Sequence, residues 1–497
     1  MDRNMTILLC LVFYMFTCFG VGLWAMRRTK STKDFFMAGR SLGVLVTALA
    51  VFSANMSGFG FVGGPGLVYK MGMSSIWICL TAPLGFAVAF FLLAKRIRLF
   101  AELRESVSLP DTVAARYKSE STRFLTAIAI ILGVMGYLAT QILAMSMVLQ
   151  EILSNNTIFS GKISLEICVF ISSAVMVFYS VAGGIIASVY ADLIQGAIMV
   201  VASVLVFITA MTAVDGGFAG MATTIMKDNP EAIAPWGTLG MIGCLSWYFV
   251  FVMGVAGQPH VIIKMMMYKK VTDAKRILPV STGAYAVAAL LWLSIGLVMR
   301  SLVLQGVRPG LAGADEAAPQ FLQSCAHPLL AGIVFAGLFS AIMSTGSSFL
   351  NIGTAAVIHD IPKYFRHKTI KNELFWARVT TVLITIVAAL FALYIGDLVA
   401  LLGAFGWGTF AAALVPTIAI GLNWKRATAL AANVAIISSI AINFGIKLAG
   451  RLYGFAVPFS VDTGALALLV SLTLFFGISL FSKPPELDHD IEAVMDI

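Results

Sequence analysis

The sequence predicts an all-α membrane protein of about thirteen transmembrane helices, and three observations carry that reading. Of 497 residues, 60% are hydrophobic and only 11% charged, whereas a soluble chain carries roughly a quarter charged residues. At a mean hydropathy of +0.94, the apolar surface exceeds what one water-soluble core can bury. Many apolar stretches reach the ~20 residues that cross the hydrocarbon as a helix. Their Leu/Ile/Ala/Met-rich texture lacks the period-two alternation of an outer-membrane barrel.

In order, the spans fall at about 6–26, 42–70, 73–95, 124–152, 162–182, 186–213, 236–262, 276–304, 328–358, 373–395, 396–421, 426–448 and 462–482. The divisions near Gly183/Gly184 and near Gly396 are the weakest marked. The first span is expected to be a retained helix rather than a leader, because its basic cluster (Arg27, Arg28, Lys30, Lys33) follows the apolar run instead of preceding it. Alternate connections and the tail carry 24 of the 33 Lys and Arg residues. By the positive-inside rule the N-terminus lies outside and the C-terminus in the cytoplasm, in a bacterial inner membrane. The polar, acidic end, KPPELDHDIEAVMDI, is expected to be disordered.

Composition also excludes functions. The net charge of +9 is scattered through short connections without an aromatic-interleaved basic surface, which argues against nucleic acid. Six single cysteines have neither metal-ligand nor disulfide spacing. No phosphate-binding loop, helical HExxH pair, paired carboxylates or nucleophile elbow marks an enzyme. His260 and His327 stand isolated near span ends and read as residues that pack or bond locally.

Two spans look discontinuous. Span two contains SANMSGFGFVGGPG, crowded with Gly58, Gly60, Gly63, Gly64, Pro65 and Gly66; span seven contains VFVMGVAGQPH, with Gly254, Gly257 and Pro259. Gly and Pro both weaken helix continuity. Paired interruptions near mid-membrane in two halves point to an inverted-repeat transporter. The expected organisation is a peripheral first helix and loop (1–41), five-helix repeats at 42–213 and 236–422, and two peripheral helices with a tail (423–497).

A broken helix exposes carbonyls that can coordinate a hard cation. Span nine carries hydroxyls to complete such a shell: Ser344, Thr345, Ser347 and Ser348. Ser344, Ser347 and Ser348 share one face by their i, i+3 and i+4 spacing. An isolated Ser or Thr usually bonds back to its own helix, but four hydroxyls in five residues is a denser pattern.

Through AGRSLG at Ala38–Gly43, the ANMSG and GGPG stretches, YSVAGGIIASVYADLIQG at 179–196, GQPH at 257–260 and MST at 343–345, nearly the whole chain resembles the sodium:solute symporter family. It looks closest to the proline and pantothenate branches. The resemblance implies a sodium site of Ser53 and Met56 backbone oxygens with Ser344 and Thr345 side chains. It further implies Asp192 on the cytoplasmic side of that site, and Ser347 and Ser348 as candidates for a second sodium. Na+ is then the coupling ion, with no other cofactor, and a monomer in the lipid bilayer suffices.

The implied substrate pocket lies between spans two, four, seven and nine. Its candidates are Asn55, Ser57, Phe59 and Phe61, Tyr137 and Gln141 one turn apart, and Trp247, Tyr248, Phe251 and Val255. Asn55 stands where proline-type members carry Asp, and Phe251 and Val255 stand at their aromatic positions. No Lys or Arg is expected at mid-membrane. A pocket of Phe, Tyr and Gln suits a compact carboxylate or amino acid better than a sugar. The expected function is therefore sodium-coupled uptake of such a solute by alternating access. A pantothenate, monocarboxylate or sialic-acid symporter and a proton-coupled or uncoupled facilitator are the alternatives; a membrane sensor and a channel fit less well.

Overall fold

The computed structural model describes residues 3–28, 41–79, 81–154, 163–366, 371–395 and 399–497. Lys30, Lys33, the Ala38–Arg40 part of AGRSLG and the division at Gly396 therefore lie outside the described residues. Within them the chain is helical, without a β-strand. The helices used below are α1 (Arg3–Arg28), α2 (Val44–Asn55), α3 (Gly64–Met71), α4 (Thr81–Ala89), α5 (Lys95–Leu103), α6 (Leu109–Tyr117), α7 (Glu120–Ser154) and α8 (Leu165–Thr212). They continue with α9 (Gly240–Gly254), α10 (Pro259–Met265), α11 (Ala274–Leu304), α12 (Ala317–Ser324), α13 (Pro328–Ala355), α14 (Glu373–Ile395), α15 (Val399–Leu414), α16 (Ala429–Tyr453), α17 (Thr463–Phe481) and α18 (His489–Met495).

Ten helices among the described residues are long and apolar enough to cross a membrane, with three shorter apolar helices at Arg3–Thr17, Val44–Asn55 and Leu165–Phe178. The expected tally of thirteen is not confirmed. Helical bonding in α8 runs straight through the expected division at Gly183/Gly184, because backbone groups in hydrocarbon must be satisfied internally and a glycine pair alone does not stop the ladder. Phe13, Phe91, Phe170, Leu383 and Phe481 point outward and exposed, as a lipid-facing belt requires.

Both expected breaks are present. α2 stops at Asn55, Met56 leaves helical geometry at φ −87° and ψ 57°, and a π-helical turn, Phe59–Gly63, leads into α3. In the other break a 3₁₀ turn, Val255–Gly257, follows α9, and Gln258 is extended at φ −76° and ψ 113° before Pro259 opens α10. Proline explains that geometry: it drives the preceding residue out of helical space and fits the first helical position, where its missing N–H is not needed. Gly64 is needed for a different reason. A Cβ there would overlap the Trp292 indole of α11, so only glycine lets α3 lie this close.

The core is built around α13, whose residues from Val334 to Ala355 are all buried. It packs against α1, α7, α8 and α14, and α2 lies across α8, α11 and α13. The basic connections 95–123 and 263–276 meet on one face, where the Arg98 guanidinium donates to the Tyr268 carbonyl at 2.7 Å; this is called the basic face below. The C-terminal end departs from expectation there. It forms α18, which buries Ile491, Val494 and Met495 and packs on α5. Arg104 bridges to Asp488 and Asp490 at 2.7 Å each, and Lys425 to Glu492 at 3.0 Å. The apolar positions repeat at i, i+3 and i+4, so the tail carries an amphipathic signal that its polar composition hides.

Candidate functional site

The interruption of α2 decides what this site can bind. Where a helix ends, the carbonyls of its last turn lose their intrahelical donors and become free acceptors. Thr345 of α13 reaches into that gap: its hydroxyl donates to the Ala54 carbonyl at 3.0 Å and to Ala341 of its own helix at 2.9 Å. Ser344 donates to Asp192 of α8. Ser347 donates to the Ser188 hydroxyl at 3.0 Å and to the Ser344 carbonyl at 2.9 Å, and Ser348 lies 3.3 Å from Ser188. Ser53, Met56, Asp192, Ser344, Thr345, Ser347 and Ser348 are all buried. The structure thus brings Ser344, Ser347 and Ser348 to Asp192 and Ser188 and puts Thr345 on the Ala54 carbonyl; the Ser53 hydroxyl instead lies 3.9 Å from the Met199 sulfur, and Met56 sits just past the end of α2. The hydroxyls, the carboxylate and the carbonyl are hard oxygens, which suit a small hard cation.

Two participants were not anticipated. Ser188 lies one turn before Asp192 on α8, a spacing that could have revealed it. Lys264 was counted with a basic loop, yet it belongs to α10 and is fully buried. Its ammonium donates to the Asp192 carboxylate at 2.8 Å and to the Ala50 carbonyl of α2 at 2.9 Å. What is corrected is its assignment to a basic connection: Lys264 is a helical, fully buried residue. The pair forms because a buried carboxylate without a counter-charge is too costly to retain.

The expected substrate residues form a second, adjoining group. The Ser57 hydroxyl lies 3.2 Å from that of Tyr137, and the Gly58 N–H donates to the Gln141 side-chain oxygen at 2.9 Å. Phe59 stacks on Phe251 at 5.8 Å between ring centroids and meets Trp292 edge-on at 5.5 Å. Asn55, Ser57, Phe59, Tyr137, Gln141, Phe251 and Val255 are at most 5% exposed, so the group is buried. Val255 abuts Gly85 of α4. Tyr248 packs on Trp77, which stacks on Trp236, while Trp247 touches Phe251.

Polar atoms without protein partners collect here. Both side-chain amide atoms of Asn55, the Gln141 Nε2 and both ring nitrogens of His260 are buried and unbonded. His260 packs rather than bonds, and its packing partners are distant in sequence. Its ring lies 4.6 Å from Phe349 and 6.1 Å from Tyr137, beside Gln141's neighbour on α7. Buried polar groups in native proteins are nearly always paired, so these atoms retain bonding capacity for a water or a polar solute.

A third cluster, Asp111, His359 and Asp360 at the basic face, holds its candidate metal-ligand atoms within 4.8 Å of one another. The Asp111 oxygens are already committed to Arg123, Lys363 and His359, which makes the cluster an ion-pair network.

These features agree with the comparisons. The family model described as the sodium:solute symporter family matches residues 35–439. The osmoregulated proline transporter OpuE of Bacillus subtilis is 29% identical over 444 residues, covering 87% of each chain. The sodium/proline symporter of Escherichia coli is 28% identical over 436 residues, 84% of this chain and 82% of its own. Among solved structures, a Na+-coupled sialic acid symporter in a substrate-bound outward-open state superposes with a TM-score of 0.77 over 98% of this chain and 100% of its own, at 21% identity. A nucleobase-cation-symport-1 family transporter in a closed conformation gives 0.54 over 93% and 98%, at 15% identity. With a broken α2 facing the α13 hydroxyls and a fold shared with these transporters, the family match over residues 35–439 identifies the chain as a member of the sodium:solute symporter family.

Proposed function

We propose that this protein couples the inward movement of sodium to the uptake of a small carboxylate-bearing solute, such as proline or another amino acid, by alternating access. The observation that carries the reading is the reach of Ser344 and Thr345 from α13 to Asp192 and to the Ala54 carbonyl at the end of α2. Sodium held by backbone oxygens of Ser53 and Met56 with the Ser344 and Thr345 hydroxyls would replace those contacts and brace α2 against α13. Ser347 and Ser348, grouped with Ser188, are candidates for a second ion. The solute pocket is read as Asn55, Ser57, Phe59, Tyr137, Gln141 and Phe251, joined by His260. Val255 contributes through its packing on α4. Proline transporters among the relatives support an amino acid; pantothenate, a monocarboxylate or sialic acid is the alternative.

The reading includes an orientation and an organisation. The basic face is assigned to the cytoplasm of a bacterial plasma membrane and the N-terminus to the outside. Residues 42–213 and 236–422 act as the two repeats, each opened by one discontinuous span, and the monomer is the working unit.

Uptake into proteoliposomes tests the coupling. An inward sodium gradient should drive accumulation of a labelled solute from a panel of proline, other amino acids, pantothenate, short monocarboxylates and sialic acid. Accumulation driven by a proton gradient and indifferent to sodium would overturn the proposal in favour of a proton-coupled carrier. Ser344→Ala and Thr345→Ala should each raise the sodium concentration for half-maximal uptake; an unchanged requirement removes the residue from the site.

A further inference from the structure

Lys264 is the one ammonium in contact with the candidate ion site among the described residues, and its geometry gives it a role of its own. Lys264 and Asp192 are both 0% exposed. One Asp192 oxygen accepts from Lys264 at 2.8 Å, and the other accepts from Ser344. The ammonium also takes the Ala50 carbonyl at 2.9 Å. Ala50 lies one helical turn before Ala54, whose carbonyl accepts from Thr345. The charge on Lys264 is thus anchored to α2 about 6 Å along the helix from the Thr345 contact, bonded to the acid that touches Ser344. It ties three elements together: α10 beyond the second helix break, α2 before the first, and α8.

We propose that Lys264 is a tethered cation that competes with sodium for Asp192. The proposal rests on the sodium-symport reading and adds to it a residue that sets how tightly sodium is held. With the ammonium in place, Asp192 is neutralised and the two broken spans are clamped to α8. A sodium ion entering beside Ser344 and Thr345 meets a second positive charge sharing one carboxylate. Two like charges ~6 Å apart at an effective dielectric near 20 weaken binding by a factor on the order of 100. Sodium therefore binds weakly enough to leave, and its arrival loosens the Lys264 contacts that hold α10 against α2 and α8. A lysine that only held the fold, with sodium bound out of reach of Asp192, would act differently: its loss would weaken the fold and leave sodium affinity unchanged.

The experiment is a sodium titration of the purified full-length protein, read as melting temperature with choline replacing sodium at constant ionic strength. Wild type should be stabilised by sodium. Lys264→Met, of similar length without charge, should lower the half-point for sodium by about 10- to 100-fold, and Lys264→Arg should restore the wild-type value. In proteoliposomes the same Met variant should reach half-maximal uptake at lower sodium with a lower maximal rate, because release is slowed. A half-point in Lys264→Met equal to or above that of a sodium-stabilised wild type overturns the competition. A wild type that does not respond to sodium in either assay overturns the symport reading itself, and the competition with it. Should Lys264→Met fail to fold, Lys264→Gln, uncharged but still able to donate to Asp192 and to the Ala50 carbonyl, takes its place; it should lower the sodium half-point in the same direction, and an unchanged half-point refutes the proposal.

Discussion

Asp192 in the middle of the protein and Asp111 at its basic face are both buried acids, and they are stabilised in opposite ways. Asp192 has a single counter-charge, Lys264, and one hydroxyl, Ser344, in a place with no access to solvent. Asp111 has three basic partners: Arg123, Lys363 at 3.0 Å and the His359 Nε2 at 3.0 Å. It also accepts from the Val107 N–H at 3.3 Å. Neighbouring Asp360 accepts from Ser108 at 2.7 Å, and the other His359 nitrogen faces Glu373 at 2.8 Å. The redundant network joins α6, the start of α7, the helical segment 356–366 that follows α13 and the start of α14, and it can lose one partner without exposing a bare charge. The single pair has no such reserve. A charge with one exchangeable partner suits an ion that must come and go, whereas a charge with several suits a clamp.

The largest effect that can break this comparison is expected from Asp192→Asn. It leaves the Lys264 ammonium buried and uncompensated, a loss of about 3–5 kcal/mol measurable by denaturant unfolding in detergent. Adding Lys264→Met should recover most of it, and near-wild-type stability of the single variant would show that the pair is not what holds these elements.

A smaller loss, about 1.5–3 kcal/mol, is expected for Asp111→Asn, since the other members of the network remain paired. Its pH behaviour sharpens the contrast. Burial works against ionisation of Asp111, but the hydrogen bond from His359 and the charges of His359, Lys363 and Arg123 outweigh it and hold the carboxyl well below the usual carboxylate range. A depressed acid stabilises fully above its unfolded value of about 3.9 and loses that contribution as pH falls toward its folded value. Between about pH 5 and pH 3 the wild type should therefore lose stability that Asp111→Asn does not; parallel curves would contradict the assignment.

Asp315, on the face opposite the basic one, provides a third and milder case. Burial pushes its carboxyl up to about 6, against the hydrogen bond from the Val399 N–H at 2.7 Å and the charge of Lys70. A raised acid takes up its proton as pH falls through that value, so the contact between the 305–327 connection and the start of α15 strengthens in acid, by at most about tenfold per pH unit. Beyond the intrinsic rate change, hydrogen exchange of 305–327 should slow between about pH 7 and pH 5 in the wild type and not in Asp315→Asn. The least effect is expected at the exposed bridges of α18. Asp488→Asn with Asp490→Asn should leave the melting temperature unchanged, because exposed ion pairs contribute little, and a clear drop would mean the tail is clamped rather than merely docked.

Much of this was legible along the chain. The Gly- and Pro-rich stretches at 53–66 and 254–259 mark both interruptions because backbone freedom and a missing N–H act locally. The hydroxyl run at 344–348 and the Tyr137/Gln141 pair follow from helical spacing alone. Misreadings arose where local context points one way and packing another. Lys264 sits among Lys269, Lys270, Lys275 and Arg276 and looks like loop charge, but one turn of α10 carries it inward to Asp192, 72 residues away in sequence. His260 looks isolated because its neighbours, Tyr137 and Phe349, come from α7 and α13.

The sequence by itself determined the solvent and the class: mean hydropathy and charge content require a bilayer, and period and breakers require helices with two discontinuities. It also determined which side chains share a helical face, since that depends only on spacing. The tertiary structure decided which faces meet. Partner choice depends on the summed packing of α2, α8, α10 and α13, and on the need to neutralise a buried acid, neither of which any local window contains. That is why the span-nine hydroxyls could be read in advance, while the ammonium that shares Asp192 with them could not.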